Sequence, residues 1–174
     1  MRALRFPHQN TGFTLVELVV VIVVLGILAS LAIPKYIEMS REARIAALEQ
    51  LAGAVQSVAN LGNAKCAVSP TCNVNARSTD SPTPRAVVDG KNIVFHYGYP
   101  NAWDGWPLSG ADGIAFMLDL SGFTVDYRQD GTGYYRIFKM VRAPDPDHCT
   151  VTYHQVVSAP GMTPPDVTLD TSGC

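Results

Sequence analysis

The chain is poor in charge: only 16% of its 174 residues are Asp, Glu, Lys or Arg, and 47% are hydrophobic. Its 13 basic and 15 acidic side chains give a net charge of −2, with no basic patch or stripe, which argues against nucleic acid as a partner. Cysteine is scarce too, with four residues at positions 66, 72, 149 and 174 and none earlier. Neither the 66/72 nor the 149/174 spacing matches the close cysteine pairs of a structural zinc site. Acidic residues never fall into the D-x-D-x-D-G pattern of a calcium loop, so Asp166 and Asp170 read as solvated loop acids. No metal or cofactor is expected. The sharpest scarcity is local: in residues 12–33, GFTLVELVVVIVVLGILASLAI, Glu17 is the sole ionisable side chain.

Residues 13–33 form a helix roughly 31 Å long at about 1.5 Å per residue, enough for a bilayer core of about 30 Å. A carboxylate at the centre of such a span costs about 2.5 to 3.5 kcal/mol on insertion scales, and less near an end, where Glu17 lies. It still calls for a partner. Positive charge flanks the span on both sides, with Arg2 and Arg5 before it and Lys35, Arg41 and Arg44 after it, so the positive-inside count does not orient it.

Gly12 followed by Phe-Thr-Leu-Val-Glu and an apolar run closed by Pro34 resembles the class III signal of type IV pilins and of type II secretion pseudopilins. The resemblance implies that prepilin peptidase cuts between Gly12 and Phe13 and methylates the new amino terminus. Loss of Arg2 and Arg5 with the leader leaves 11 basic against 15 acidic side chains, a net charge of −4. It also implies a partner for Glu17 in the assembled filament, the amine of Phe13 on a neighbouring subunit. Both groups are charged at neutral pH and attract strongly in a low-dielectric bundle. Gly26 and Pro34 match positions that bracket the stretch able to unwind in pilin filaments. An alternative reading places ordinary signal peptidase at Ser30-Leu31-Ala32. The length of the run and its glutamate argue against it.

After Pro34 the pattern turns amphipathic. Ile45, Leu48, Leu51, Val55 and Val58 recur every three or four residues, while Arg41, Glu42, Arg44, Glu49, Gln50 and Gln56 lie between or opposite them. A single helix over 13–63, kinked near Pro34, follows. Ser40 to Ile45, Ser-Arg-Glu-Ala-Arg-Ile, and the phrase YGYPNA at 97–102 resemble the major pilin of mannose-sensitive haemagglutinin (MSHA) pili. The resemblance covers the first 65 residues well, and beyond them only that phrase and the cysteine placement.

The four cysteines all follow the span, and an even count in an exported chain reads as disulfides with three possible connectivities. Cys66 with Cys72 and Cys149 with Cys174 is the favoured pairing: the first closes a small loop around Pro70, the second ties down the end of the chain. Residues 66–85 are rich in Ser, Thr, Asn and Pro and read as a surface loop. Asp89-Gly90 between 85–88 and 92–97 signals a hairpin. Phe123, Val125 and Tyr127 alternate with polar residues as in a half-buried strand, with 134–141 as partner and 149–157 as a further strand. Residues 110–118 hold a short helix, and the Pro- and Gly-rich tail after Val157 depends on the Cys149 link for order.

The fold class is therefore α+β: a long kinked helix whose outer half packs on a small antiparallel sheet of four or five strands, with a disulfide-closed C-terminal region. Four parts follow: a leader at 1–12, a membrane or filament-core helix at 13–33, an amphipathic helix at 34–64 and a head domain at 65–174.

No catalytic set converges, and an enzyme is not expected. His96 and His154 read as sheet-face residues. Asp145, Asp147 and His148 form a D-x-D-H cluster, but Pro144 and Pro146 make an acidic turn the simpler account. Trp103, Trp106, Tyr97 and Tyr99 form an aromatic group suited to core, subunit interface or a bound sugar. The resemblance implies a structural pilus subunit that meets prepilin peptidase and the assembly machinery, waits in the bacterial inner membrane and then joins copies of itself in an extracellular filament, with adhesion as output. A pseudopilin of type II secretion is the alternative, and a secreted or tethered binding domain the alternative from another class.

Overall fold

The computed structural model of the chain describes residues 13–103, 113–156 and 163–174. It divides into two compact units with the boundary between Arg41 and Glu42. One helix, α1 (Leu15–Val68, 54 residues), contributes residues to both.

In the first unit every large apolar side chain of α1 is exposed, and the most apolar 18-residue window, with a mean hydropathy of 2.9, has none of its residues buried. By length and composition this is a helix able to cross a membrane. Pro34 lies inside α1, so the proline removes a backbone donor without ending the helix.

In the second unit α1 becomes a core element. Leu48, Leu51, Val55 and Ala59 are buried against Ile114, Phe138, Val151 and Tyr153, with Ile45 and Val58 partly buried at the margin. Burying side chains of this size stabilises by roughly 1.5 to 3 kcal/mol each. The helix outruns the expected end at position 63 by five residues, because Cys66 belongs to a second apolar cluster with Ala86, Val88, Ile93 and Phe95. Gly62 lets that last stretch approach the chain closely, since a Cβ there would collide with the Pro100 ring. Arg44, expected on the wet face, is half-buried, and its Nε donates to the Cys174 carbonyl at 2.6 Å.

Among the described residues seven antiparallel strands form two sheets, where four or five in one were expected. The first holds β1 (Arg85–Val88), β2 (Lys91–His96) and β3 (Tyr99–Pro100). Asp89 and Gly90 join β1 to β2 with φ of 47° and 76°, the left-handed pair that a two-residue hairpin turn requires. The second sheet runs in chain order: β4 (Phe123–Gln129), β5 (Gly133–Met140), β6 (Thr150–Val156) and β7 (Asp166–Asp170). β7 comes from the Pro- and Gly-rich tail whose order was expected to depend on the Cys149 link, with no strand expected there, and pairs with β6 from Thr150↔Asp170 to His154↔Asp166. Residues 114–117 form a 3-10 turn, shorter than the helix expected at 110–118, of which 110–112 lie outside the described residues.

Residues 99–102 stitch the two sheets together. Tyr153 Oη and Gln155 Nε2 donate to the Pro100 carbonyl at 2.8 and 2.9 Å, the Ala102 amide donates to Gln155 Oε1 at 2.8 Å, and Arg136 Nε donates to the Ala102 carbonyl at 2.6 Å. The YGYPNA phrase thus has a structural role. Disulfides join Cys66 to Cys72 and Cys149 to Cys174, with Cα atoms 5.1 and 5.0 Å apart.

Candidate assembly and processing site

Of the residues singled out for processing and assembly, Gly12 lies outside the described residues and Phe13 is 83% exposed. Thr14 immediately precedes the helix. Its Oγ1 accepts from the Glu17 amide at 3.3 Å, while Glu17 Oε2 accepts from the Thr14 amide at 2.9 Å and from Thr14 Oγ1 at 2.7 Å. This reciprocal arrangement is a capping box, in which two backbone donors of the first turn are satisfied by side chains. Sequence reasoning assigned Glu17 a distant partner and passed over Thr14, although T-x-x-E before an apolar run is the signature of such a cap. The described partners of the Glu17 carboxylate are all within three residues of it, and Oε1 accepts none of these bonds.

Gly26 and Pro34 are both helical, and a Cβ built on Gly26 would meet nothing within 4 Å. Ser30 Oγ donates back to the Ile27 carbonyl at 2.7 Å, so its hydroxyl is spent within the helix. Leu31 is 73% exposed and Ile33 59%. The helix therefore presents a continuous apolar surface with one carboxylate near its start.

The candidate catalytic and metal residues of the head are separated by the fold. His96, on β2, is buried; the Ser78 amide donates to its Nδ1 at 3.2 Å, and the ring meets Tyr134 edge-on at 5.4 Å. Burial, helped by Arg77, depresses its pKa from 6.5 to about 4, which keeps the ring neutral. His154, on β6, stacks parallel to Tyr135 with centroids 4.2 Å apart, and the Arg128 guanidinium lies 4.5 Å above the same Tyr135 ring. Asp145, Asp147 and His148 occupy a 3-10 turn: Asp145 caps it through the Asp147 amide, and His148 Nδ1 lies 2.8 Å from Asp145 Oδ2. That carboxylate raises the His148 pKa above its usual value. Asp147 instead meets Lys139 Nζ at 2.7 Å, and Lys139 also meets Asp126 at 2.5 Å. The two carboxylates push the Lys139 ammonium above its ordinary pKa. Among the described residues no group of three His, Cys, Asp or Glu side chains could hold a metal ion.

The aromatic group is also dispersed. Tyr99 is core and Tyr97 sits against His96, while Trp103 stacks on Tyr127 at 6.0 Å and Tyr127 on Tyr134 at 6.5 Å. Trp106 lies outside the described residues.

Residues 7–33 match the prokaryotic N-terminal methylation motif. Over 62 residues the chain is 37% identical to the type IV narrow pilus major component PilA5 of Thermus thermophilus, covering 36% of this chain and 53% of that one. Over 44 residues it is 46% identical to the type IV major pilin protein PilA of Myxococcus xanthus, covering 25% of this chain and 20% of the relative. The matches thus span about half of one relative and a fifth of the other. No solved structure matches the chain significantly. Both relatives are pilus structural subunits, and together with the methylation motif they support reading the chain as a type IV pilin.

Proposed function

We propose that the chain is a structural subunit of an MSHA-like type IV pilus, cut between Gly12 and Phe13 by prepilin peptidase, methylated at Phe13 and polymerised through its N-terminal helix. Residues 1–12 are the discarded leader, 13–33 the membrane anchor and later filament core, 34–64 the amphipathic half of the helix and 65–174 the head that forms the filament skin. The observation that carries this reading is the bare apolar helix with a single carboxylate at its start, on a segment that matches the methylation motif. Such a surface is tolerable only in lipid or against other apolar helices.

Glu17 then has two roles in succession. In the membrane pool it closes the capping box with Thr14. During assembly its carboxylate takes the charged amine of Phe13 on the neighbouring subunit and sets register. Gly26 and Pro34 bracket the stretch that yields in the filament, and the finished filament serves adhesion. The two disulfides support an oxidising compartment for the head.

Intact mass and N-terminal sequencing of protein sheared from expressing cells tests the processing. A chain beginning at N-methylated Phe13 and lacking four hydrogens supports the reading; a start at Ile33, or no sheared protein, overturns it. Glu17→Val tests the assembly role: subunit levels and membrane insertion stay unchanged while surface filaments are lost. Abundant normal filaments from that variant would remove Glu17 from the mechanism.

A further inference from the structure

His96 is a buried titratable side chain, 3% exposed, that the assembly reading leaves unused. A surface segment holds its ring from one side: the Ser78 amide donates to Nδ1 at 3.2 Å, and Ser78 Oγ lies 3.1 Å from the same nitrogen. A backbone N–H can only donate, so Nδ1 is an unprotonated acceptor and the ring proton sits on Nε2. Nε2 is buried and, among the described residues, has no hydrogen-bond partner. The segment is therefore tied to the ring through the atom that a second proton would occupy.

A proton on Nδ1 would face the Ser78 N–H, donor against donor, and that bond cannot survive it. Rotation of the Ser78 hydroxyl would give Nδ1–H an acceptor but leave the Ser78 amide without one. The surroundings also oppose the charge. Tyr97 and Tyr134 meet the ring edge-on, with centroids 4.7 and 5.4 Å away. The charged groups acting on it are Arg77, which opposes a second positive charge, and Asp80, which favours one but already pairs with Arg77 at 3.3 Å.

The segment is fixed at its ends and lightly held between them. The Cys66–Cys72 disulfide and the Arg85 amide bond to the Thr71 carbonyl, 3.1 Å, secure its start, and the Phe95 amide bond to the Pro84 carbonyl, 3.0 Å, secures its end. Among the described residues, 73–83 make hydrogen bonds to the rest of the head at two places: Ser78 to His96, and the Ala76 carbonyl, which accepts from the Tyr97 amide at 2.9 Å. The remaining bonds of the segment, Asn75 to Asn73 and Arg77 to Asp80, are internal. We propose that His96 and Ser78 form an acid-released latch: protonation of His96 at Nδ1 frees residues 73–83 while the disulfides and both sheets stay closed. Release uncovers the edge where His96, Tyr97 and Tyr134 meet, so the head presents one surface at neutral pH and another in acid. The latch belongs to the head alone and does not depend on filament assembly.

The test is amide hydrogen exchange of the full chain in detergent micelles, from neutral pH down to about 4, read as protection factors so that the intrinsic pH dependence of exchange drops out. Burial and Arg77 hold the closed-state pKa at about 4 against 6.5 for a free imidazole, so the open state binds the proton first. Protection at Ser78 and Tyr97 is expected to lie below that of Val151 and Tyr153 on β6 at every pH, and to fall about tenfold per pH unit below 6.5. In His96→Gln, whose side chain can still accept from the Ser78 amide but does not titrate, protection at Ser78 should stay level. His148→Gln, which removes an exposed histidine elsewhere, should leave the fall unchanged. Protection at Ser78 and Tyr97 equal to that of β6 would mean that the segment opens only with the whole head. Level protection in the unaltered chain, or the same fall in His96→Gln, would take His96 out of the latch. Each of these overturns the proposal, and the first two are read on the unaltered chain, whether or not His96→Gln folds.

Discussion

The two halves of α1 obey opposite rules. Within 13–41 the large apolar side chains are exposed, and three polar pairs, Thr14 with Glu17, Ser30 with Ile27 and Lys35 with Glu38, close within a single turn. Within 42–68 a stripe through Leu48, Leu51, Val55 and Ala59 is buried against residues far along the chain while Leu61 and Val68 stay exposed, and Arg44 and Asn63 reach across to the Cys174 and Gly98 carbonyls. A soluble helix keeps its structure by burying one face; a membrane helix must satisfy its polar groups internally and leave its apolar surface for lipid or for other helices. The contrast separates what folds the head from what the chain offers to an assembly.

Substitutions that should hit only one half test this contrast most directly. Phe138→Ala opens a cavity under the helix and is expected to cost the head about 3 to 5 kcal/mol in denaturant unfolding, whereas Val23→Ala should leave the same transition unmoved. Equal effects would mean that the two halves fold as one cooperative block. Replacing both Cys149 and Cys174 by serine is expected to cost about 3 kcal/mol and to expose the β6–β7 amides to hydrogen exchange, with the helicity of α1 unchanged by circular dichroism.

Acid sharpens the same division through His96. Its folded pKa of about 4 lies below the unfolded value of about 6.5, so the unfolded chain binds more protons between these values. Stability from this group is fully present above pH 6.5 and is lost as pH falls toward 4, on the order of 3 kcal/mol in total. His96→Gln should flatten that part of the head's stability profile; an unchanged profile would assign the acid sensitivity elsewhere. His148 has the opposite sign and is exposed, so it weakens slightly as pH rises through its elevated pKa. The smallest effect belongs to the cap: Thr14→Ala is expected to cost about 1 kcal/mol, seen as fraying of the first turn of α1 and invisible in head unfolding.

Much of this contrast was legible in the sequence because it rests on periodicity. The apolar run at 13–33, broken only by Glu17, is legible from its length, and the stripe through Leu48 and Val55 and the alternation at Phe123 to Tyr127 follow from how far a helix or strand turns per residue. The Asp89-Gly90 hairpin was legible through the positive φ it needs. What escaped has no period to read. β7 is five residues long and follows a Pro-rich stretch, so only pairing with β6 makes it a strand, and β3 is two residues held by Tyr153 and Gln155. The Trp103–Tyr127 stack depends on residues from different elements. The Thr14–Glu17 cap is different, since its T-x-x-E spacing is local and legible, but the filament resemblance supplies Glu17 with another partner.

The bond from Arg44 to the Cys174 carbonyl spans 130 positions, and the helix segment it anchors is buried by Ile114, Phe138 and Tyr153. Synthesis runs in one direction, so the apolar stripe at 48–59 leaves the ribosome well before the strands that cover it. During that interval the stripe is an open surface with nothing of its own chain to hide it. Elongation speed and the arrival of an oxidant for Cys149 then decide how long the stripe stays available to a chaperone or to another nascent copy. The fold thus sets a delay between synthesis of the first unit and completion of the second.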